Sequence, residues 1–264
     1  MGLLMCCTLE QPDRKNPGMM HRGRFPERDG IGVWWLVVNL LFASVIATSA
    51  KEEGAGERAR PYHPDHLVPV DPNPADWHVR YTEALSKQLN LHSPFFIRML
   101  ELPSFEGESS LRLSGKNGEK EITKINEFIL TLYEADKSIW YSLPENNEEK
   151  IQKPVVVAVK SASIPKPVAL RLHAVWEKMI QRTRAPKQPD TTLDGVTYEF
   201  ATKTGKGEAR NPKSNGLSPG RLVALGYSLK NYCEVNASQR AGSLEMIEIH
   251  LKSLEKYLDE HPVK

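Results

Sequence analysis

The chain has 264 residues, 26% charged and 40% hydrophobic, a balance that excludes wholesale disorder and allows one full hydrophobic core. Its formal net charge is +2, and residues 1–50 hold five basic and four acidic groups, which leaves +1 for the remainder. A domain so close to neutral has no global field to gather nucleic acid or acidic lipid, and no nucleic-acid partner is expected.

The polar stretch Met20–Gly30 carries Arg22, Arg24 and Arg28 and precedes an apolar run, Ile31–Ala47, broken only by Gly32, Asn39 and Ser44. Small residues follow at Ala47, Thr48, Ser49 and Ala50. Basic end, apolar core and small-residue cleavage site, in that order, predict a secretory signal. Cleavage after Ala47 places Val45 and Ala47 at the −3 and −1 positions; cleavage after Ala50 uses Thr48 and Ala50. At 17 residues the run also reaches the short end of a bilayer span, so an uncleaved anchor is the competing reading. The expected location is therefore periplasmic or extracellular, or anchored by one N-terminal helix with membrane contact only through residues 31–47. A start at Met19 or Met20 would remove Cys6 and Cys7, leaving Cys233 as a lone thiol that can form no intrachain disulfide.

Residues 51–75 hold Pro61, Pro64, Pro69, Pro72 and Pro74 and read as an extended linker. A helix is predicted from Asn73 to about Leu91, capped by Asn73 with Pro74 behind it, burying Trp77, Tyr81, Leu85 and Leu89. From Pro94 the period shifts towards two. Strands are predicted around Phe95–Leu102, Leu111–Leu113, Glu127–Tyr133, Val155–Val159 and Val196–Phe200, with turn chemistry at Lys116-Asn117-Gly118 and Asp194-Gly195. Ser138–Ser142 is a candidate further short strand, and Glu145–Lys153 reads as an exposed loop. After Pro165 and Pro167 a helix buries Val168, Leu172, Val175, Trp176, Met179 and Ile180. Residues 203–217, rich in Gly, Lys and Asn, read as a long loop. Ser218 caps a third helix that buries Leu222, Leu225, Leu229, Tyr232 and Cys233. A fourth, from about Ser238 to Glu260, carries Leu244, Ile247, Leu251, Leu254 and Leu258 in steps of three and four, the seam of a helical hairpin. The fold expected is α+β: a mainly antiparallel sheet of about five strands with packed helices and a C-terminal helical hairpin. The domain plan is an N-terminal extension and signal peptide (1–50), a Pro-rich linker (51–75) and a single globular α+β domain (76–264).

The candidate site residues are sparse, and each has a plain structural reading beside the functional one. His63 and His66, in Tyr62-His63-Pro64-Asp65-His66, are weak candidate metal ligands; no residue completes the sphere, and a solvated loop explains them as well. Glu199, on the strand face opposite Tyr198 and Phe200, is a weak candidate acid or base if that face lines a cleft, with Glu101, Glu134 and Asp136 as possible second carboxylates. Otherwise it is a solvated strand residue. Trp140 is a weak candidate ligand-binding platform for a sugar or peptide, or a core residue. Gly205-Lys206-Gly207-Glu208 lacks the Gly-Lys-Ser/Thr order and the following helix of a phosphate loop. No Gly-x-Ser-x-Gly, His-Glu-x-x-His or paired Cys-x-x-Cys occurs, and no cofactor is expected.

The run Trp176-Glu177-Lys178-Met179-Ile180-Gln181-Arg182-Thr183-Arg184, the strand Asp194–Phe200 and the block Pro144-Glu145-Asn146-Asn147 resemble a pattern in uncharacterised exported bacterial proteins, over most of residues 94–260. The resemblance implies export and no particular activity. The functional expectation is thus an exported, non-enzymatic binding or interaction protein of undetermined ligand. The alternatives are an envelope or secreted hydrolase using carboxylates such as Glu199, and a membrane-anchored envelope scaffold.

Overall fold

Six strands build one sheet: β1 (Ile97–Pro103), β2 (Ser109–Gly115), β3 (Phe128–Ala135), β4 (Val157–Ile164), β5 (Val196–Thr202) and β6 (Lys206–Arg210). The structure is a computed structural model and describes residues 64–70, 76–116, 119, 121–146, 154–187, 194–212 and 216–262. These residues belong to one unit running from Arg60 to Lys264. The apolar run at 31–47, His63 and the Asn117-Gly118 turn lie outside the described residues. Among the described residues, no helix is long and apolar enough to cross a membrane.

The strand order is β4-β3-β2-β1-β5-β6, and every neighbouring pair is antiparallel. Four helices accompany it: α1 (Asp76–Gln88), α2 (Lys166–Gln181), α3 (Ser218–Glu234) and α4 (Arg240–Glu260). Helix α2 packs over β5 and β1, α3 packs over β2, β3 and β4, and α4 lies against both helices as a further layer. The main core fills the space between sheet and helices. Ile97 and Met99 of β1, Leu130 and Leu132 of β3 and Phe200 of β5 meet Leu172 and Trp176 of α2, Leu225 and Leu229 of α3, and Leu251 and Leu254 of α4. Trp176 and Phe200 touch edge to face, with centroids 6.0 Å apart. Arg171 of α2 ties α4 down through Glu248 at 2.5 Å and Glu255 at 2.7 Å. The α+β architecture and the C-terminal α3–α4 hairpin are as the sequence predicts.

On the other face of the sheet, among the described residues, α1 packs through Leu85 and Leu89 on Leu100 of β1, Tyr133 of β3 and Ile139.

Four local expectations are corrected. The sixth strand, β6, lies inside the stretch read as a loop. Its glycine is there because a Cβ on Gly207 would lie 2.9 Å from Leu67 Cβ and 2.6 Å from Thr183 Oγ1, so a side chain would block the segment that packs on it. That segment is part of the stretch read as a linker. Leu67 is fully buried, and Val68 pairs with Glu208 through two 2.8 Å backbone hydrogen bonds, so this segment bonds the outer edge of β6 at its middle residue. Ser138–Ser142 holds a short 3-10 helix, Trp140–Ser142, rather than a strand, because successive N–H groups turn towards one buried carboxylate, Glu108. Ser218 is the first residue inside α3 rather than its cap. The capping acceptor comes from Asp65, whose Oδ1 takes the Ser218 N–H at 2.8 Å while its Oδ2 takes the Tyr257 hydroxyl at 2.9 Å.

Candidate functional site

Among the described residues, one helix packs on the other face of the six-stranded sheet, and a groove of about 1150 Å³ lies beside it. Alternation along three strands supplies its floor. Arg98, Leu100 and Leu102 project from β1, Thr197 and Glu199 from β5, and Lys206, Glu208 and Arg210 from β6. Helix α1 forms one wall with His78, Tyr81, Thr82 and Leu85. Phe105, from the β1–β2 connection, joins Trp140 and Tyr141 to close one end.

Glu199 is fixed in the floor. Arg98 Nη2 donates to its Oε1 at 2.8 Å, and both side chains are about 15% exposed (14% and 15%). Arg98 Nη1 also donates to the Leu91 carbonyl at 3.2 Å, just beyond the left-handed Asn90 (φ 53°) that ends the α1 turn. Directly across β6, in register with Glu199, stands Glu208. Side chains opposed in this way have Cβ atoms about 4.5–5.5 Å apart, so two carboxylates share this stretch of floor. The second carboxylates expected beside Glu199 are elsewhere. Glu101 and Glu134 project to the helical face of the sheet, and exposed Asp136 accepts the Val156 N–H at 2.9 Å. There Glu101 receives Lys230 at 2.7 Å, Ser109 at 3.0 Å and Tyr227 at 2.5 Å. Burial pushes the Glu101 carboxyl up, but the Lys230 charge and these donors outweigh it and hold the group below its ordinary value. Burial, reinforced by Glu101 and Tyr198, pushes the Tyr227 phenol up. This network ties α3 to β1 and β2.

The aromatic end of the groove depends on a carboxylate that sequence reasoning passed over. Glu108 is fully buried at the start of β2. Its oxygens accept from Tyr81 Oη at 2.8 Å, Ile139 N at 2.6 Å, Trp140 N at 3.3 Å and Ser138 Oγ at 3.4 Å. One side chain thereby fixes α1 and the 3-10 turn relative to the sheet. Burial, then the Glu108 carboxylate, pushes the Tyr81 phenol up, so it remains a donor. Trp140 is half-buried and meets Tyr81 edge to face at 5.3 Å and 84°. It is neither a fully buried core residue nor a free platform. The exposed rings are its neighbours: Phe105 (68% exposed) and Tyr141 (44%) lie parallel within 8°, with centroids 6.3 Å apart.

The remaining candidates do not converge here. His66 is buried, and its Nδ1 donates to the Leu67 carbonyl at 2.9 Å; its expected partner His63 is outside the described residues. Among the described residues, no group of three or more His, Cys, Asp or Glu is placed to hold a metal ion. Cys233 is buried and its thiol is pushed up to about 12, chiefly by that burial, so it packs as a small hydrophobe. Lys206 and Glu208 entered the sequence reading only as part of a loop that lacks the phosphate-loop order, and Arg210 not at all, although Lys-Gly-Glu-Ala-Arg alternates polar with small residues as a half-buried strand does. Phe105 had no local signal, and Tyr81 signalled only the buried stripe of its helix; its bond to Glu108 joins parts of the chain far apart in sequence. No family model, no curated protein and no solved structure matches the chain.

Proposed function

We propose that the protein is exported and acts as a non-enzymatic binding protein whose ligand lies along the groove between α1 and the β1–β5–β6 floor. The order of basic, apolar and small residues from Arg22 to Ala50 supports export. The observation that carries the binding reading is the groove itself: about 1150 Å³, with exposed aromatic rings at one end and a charged floor. That volume exceeds the about 300–1,000 Å³ of ordinary small-molecule sites, which favours an extended ligand. Retention of residues 31–47 would make the same groove an anchored envelope receptor or scaffold.

The test is to present the purified protein to arrays of oligosaccharides, peptides and small metabolites, and to repeat the screen with Thr197→Trp, which fills the floor. Hits lost in that variant support the reading; no hits, or hits indifferent to it, overturn it. The opposed Glu199 and Glu208 favour a second reading, a hydrolase, since glycosidases use paired carboxylates at about 5–9.5 Å. Cleavage of a bound hit that is abolished by Glu199→Gln and by Glu208→Gln would replace the binding reading with that one.

A further inference from the structure

We infer that the groove's ligand is a neutral oligosaccharide chain, with a sugar face laid on Phe105 and Tyr141 and its hydroxyl rim on the charged floor; this rests on the groove being a binding site. Three features of the groove select this chemistry. The first is the aromatic pair. Two large rings stand in water at the groove mouth, parallel within 8°. Ring faces carry negative charge density and attract the C–H groups that line one side of a pyranose. The pair is preorganised: Tyr141 belongs to the 3-10 turn that Glu108 holds, so little ordering is left for the bound state.

The second feature is the balance of the floor. Arg98, Lys206 and Arg210 are matched by Asp194, Glu199 and Glu208. A polyanion such as a nucleic acid would meet three carboxylates, and an acyl chain would strip water from the exposed Asp194, Lys206 and Arg210 without replacing it. Hydroxyl groups both donate and accept, so a sugar rim satisfies guanidinium, ammonium and carboxylate together.

The third feature is the occupied edge. A peptide commonly binds beside a sheet by adding a strand to its edge. The outer edge of β6 already bonds to Val68 through Val68 N to Glu208 O and Glu208 N to Val68 O, both 2.8 Å. A peptide in this groove would find no free ladder on that side at Glu208.

The test is calorimetry on the purified full chain with cellohexaose, chitohexaose, xylohexaose and maltohexaose, beside hexapeptide pools and oligo-dT. At least one hexasaccharide is expected to bind, with affinity rising from the trisaccharide to the hexasaccharide. Phe105→Ala and Tyr141→Ala, both at exposed positions, should each weaken it about tenfold. Ile249→Ala, on the outer surface of α4, should leave it unchanged. Sugar binding indifferent to both aromatic variants overturns the inference. So does capture of peptide alone in a manner lost with Thr197→Trp, which keeps the groove as a binding site but with a different ligand. If no probe of any class binds, the binding reading falls with it.

Discussion

Removing the Glu108 carboxylate tests whether one buried acid organises the wall of the groove. In Glu108→Gln the shape is kept and one acceptor becomes a donor. With the amide oxygen in the Oε1 place, Tyr81 Oη, Ser138 Oγ and Trp140 N keep their acceptor. The amide nitrogen then faces the Ile139 N–H across what is now a 2.6 Å contact, and that donor loses its partner. One buried donor left without an acceptor costs about 1–3 kcal/mol. The flipped amide strands three donors instead of one, so it offers no relief. Glu108→Ala strands all four and opens a void, and about 3–5 kcal/mol is expected. In a unit of this size each kcal/mol lowers Tm by about 2–4 °C, which makes a loss of 2 kcal/mol about 4–8 °C. Tyr81→Phe alone should cost about 1.5–3 kcal/mol, the value of a hydrogen bond to a charged group. It should cost far less in the Glu108→Ala background, because its acceptor is already gone. Urea unfolding followed by far-UV circular dichroism gives the free energies, and the near-UV spectrum reports the packing of Tyr81 and Trp140. A Glu108→Ala protein within about 0.5 kcal/mol of the parent, at an unchanged m value, would refute the argument.

Two glycines should respond in opposite directions. Gly242, in the first turn of α4, has open space where a Cβ would go, and Gly242→Ala should stabilise by about 0.5–1 kcal/mol in thermal unfolding. A Cβ on Gly107 would lie 2.0 Å from the Ala135 carbonyl oxygen, a backbone atom that cannot swing aside, so Gly107→Ala should cost about 2–3 kcal/mol. With its thiol pushed up to about 12, Cys233 is about one part in ten thousand thiolate at pH 8, and it should react with a disulfide reagent only after unfolding; rapid labelling of the native protein would contradict its burial. Glu101 gives the acid side of the stability curve. Its folded value lies below the unfolded one of about 4.3, so its contribution is complete above that pH and is lost as pH falls through the folded value. Stability measured from pH 6 to pH 2 should show this loss in the parent and a smaller one in Lys230→Met.

The helices were legible because their faces are continuous: Val168, Leu172, Val175, Trp176, Met179 and Ile180 all prove buried, and so do Leu222, Leu225, Leu229, Tyr232 and Cys233. The five expected strands were legible through alternation such as Val196, Tyr198 and Phe200. Strand β6 was not, because glycine, lysine and asparagine around it carry turn chemistry, and the glycine at 207 is explained by the approach of Leu67 and Thr183 from distant parts of the chain. The groove floor was half legible. Glu199 was assigned to the correct face by its alternation with Tyr198 and Phe200, but its neighbours depend on strand order, and the order β1-β5-β6 follows no local signal. Glu101 shows the same limit. It interrupts an apolar run just as Arg98 does, yet three residues of separation put the two on opposite faces, one towards α3 and one towards the groove.

The groove follows from the placement of the helices. Six strands at about 4.8 Å spacing span about 24 Å, and a helix with its side chains is about 10 Å wide. Helices α2 and α3 side by side cover one face; among the described residues, α1 and the turn at Ile139 pack on the other. The groove floor is where the strands turn polar: Thr197 and Glu199 on β5, and Lys206, Glu208 and Arg210 on β6, project outward while Phe200, Gly207 and Ala209 take the core side. Lys206 and Arg210 are both exposed, and Arg210 Nε donates to Thr197 Oγ1 at 3.3 Å along the strand surface. Exposed positions of this kind tolerate exchange within about 0.5 kcal/mol. Phe105 is 68% exposed and contributes little to a core; its ring lies parallel to that of Tyr141. Folding thus accounts for the part of the face where Leu85 and Leu89 pack on Leu100, and the ring pair and the charged floor beyond it are the residues on which the proposed binding is tested.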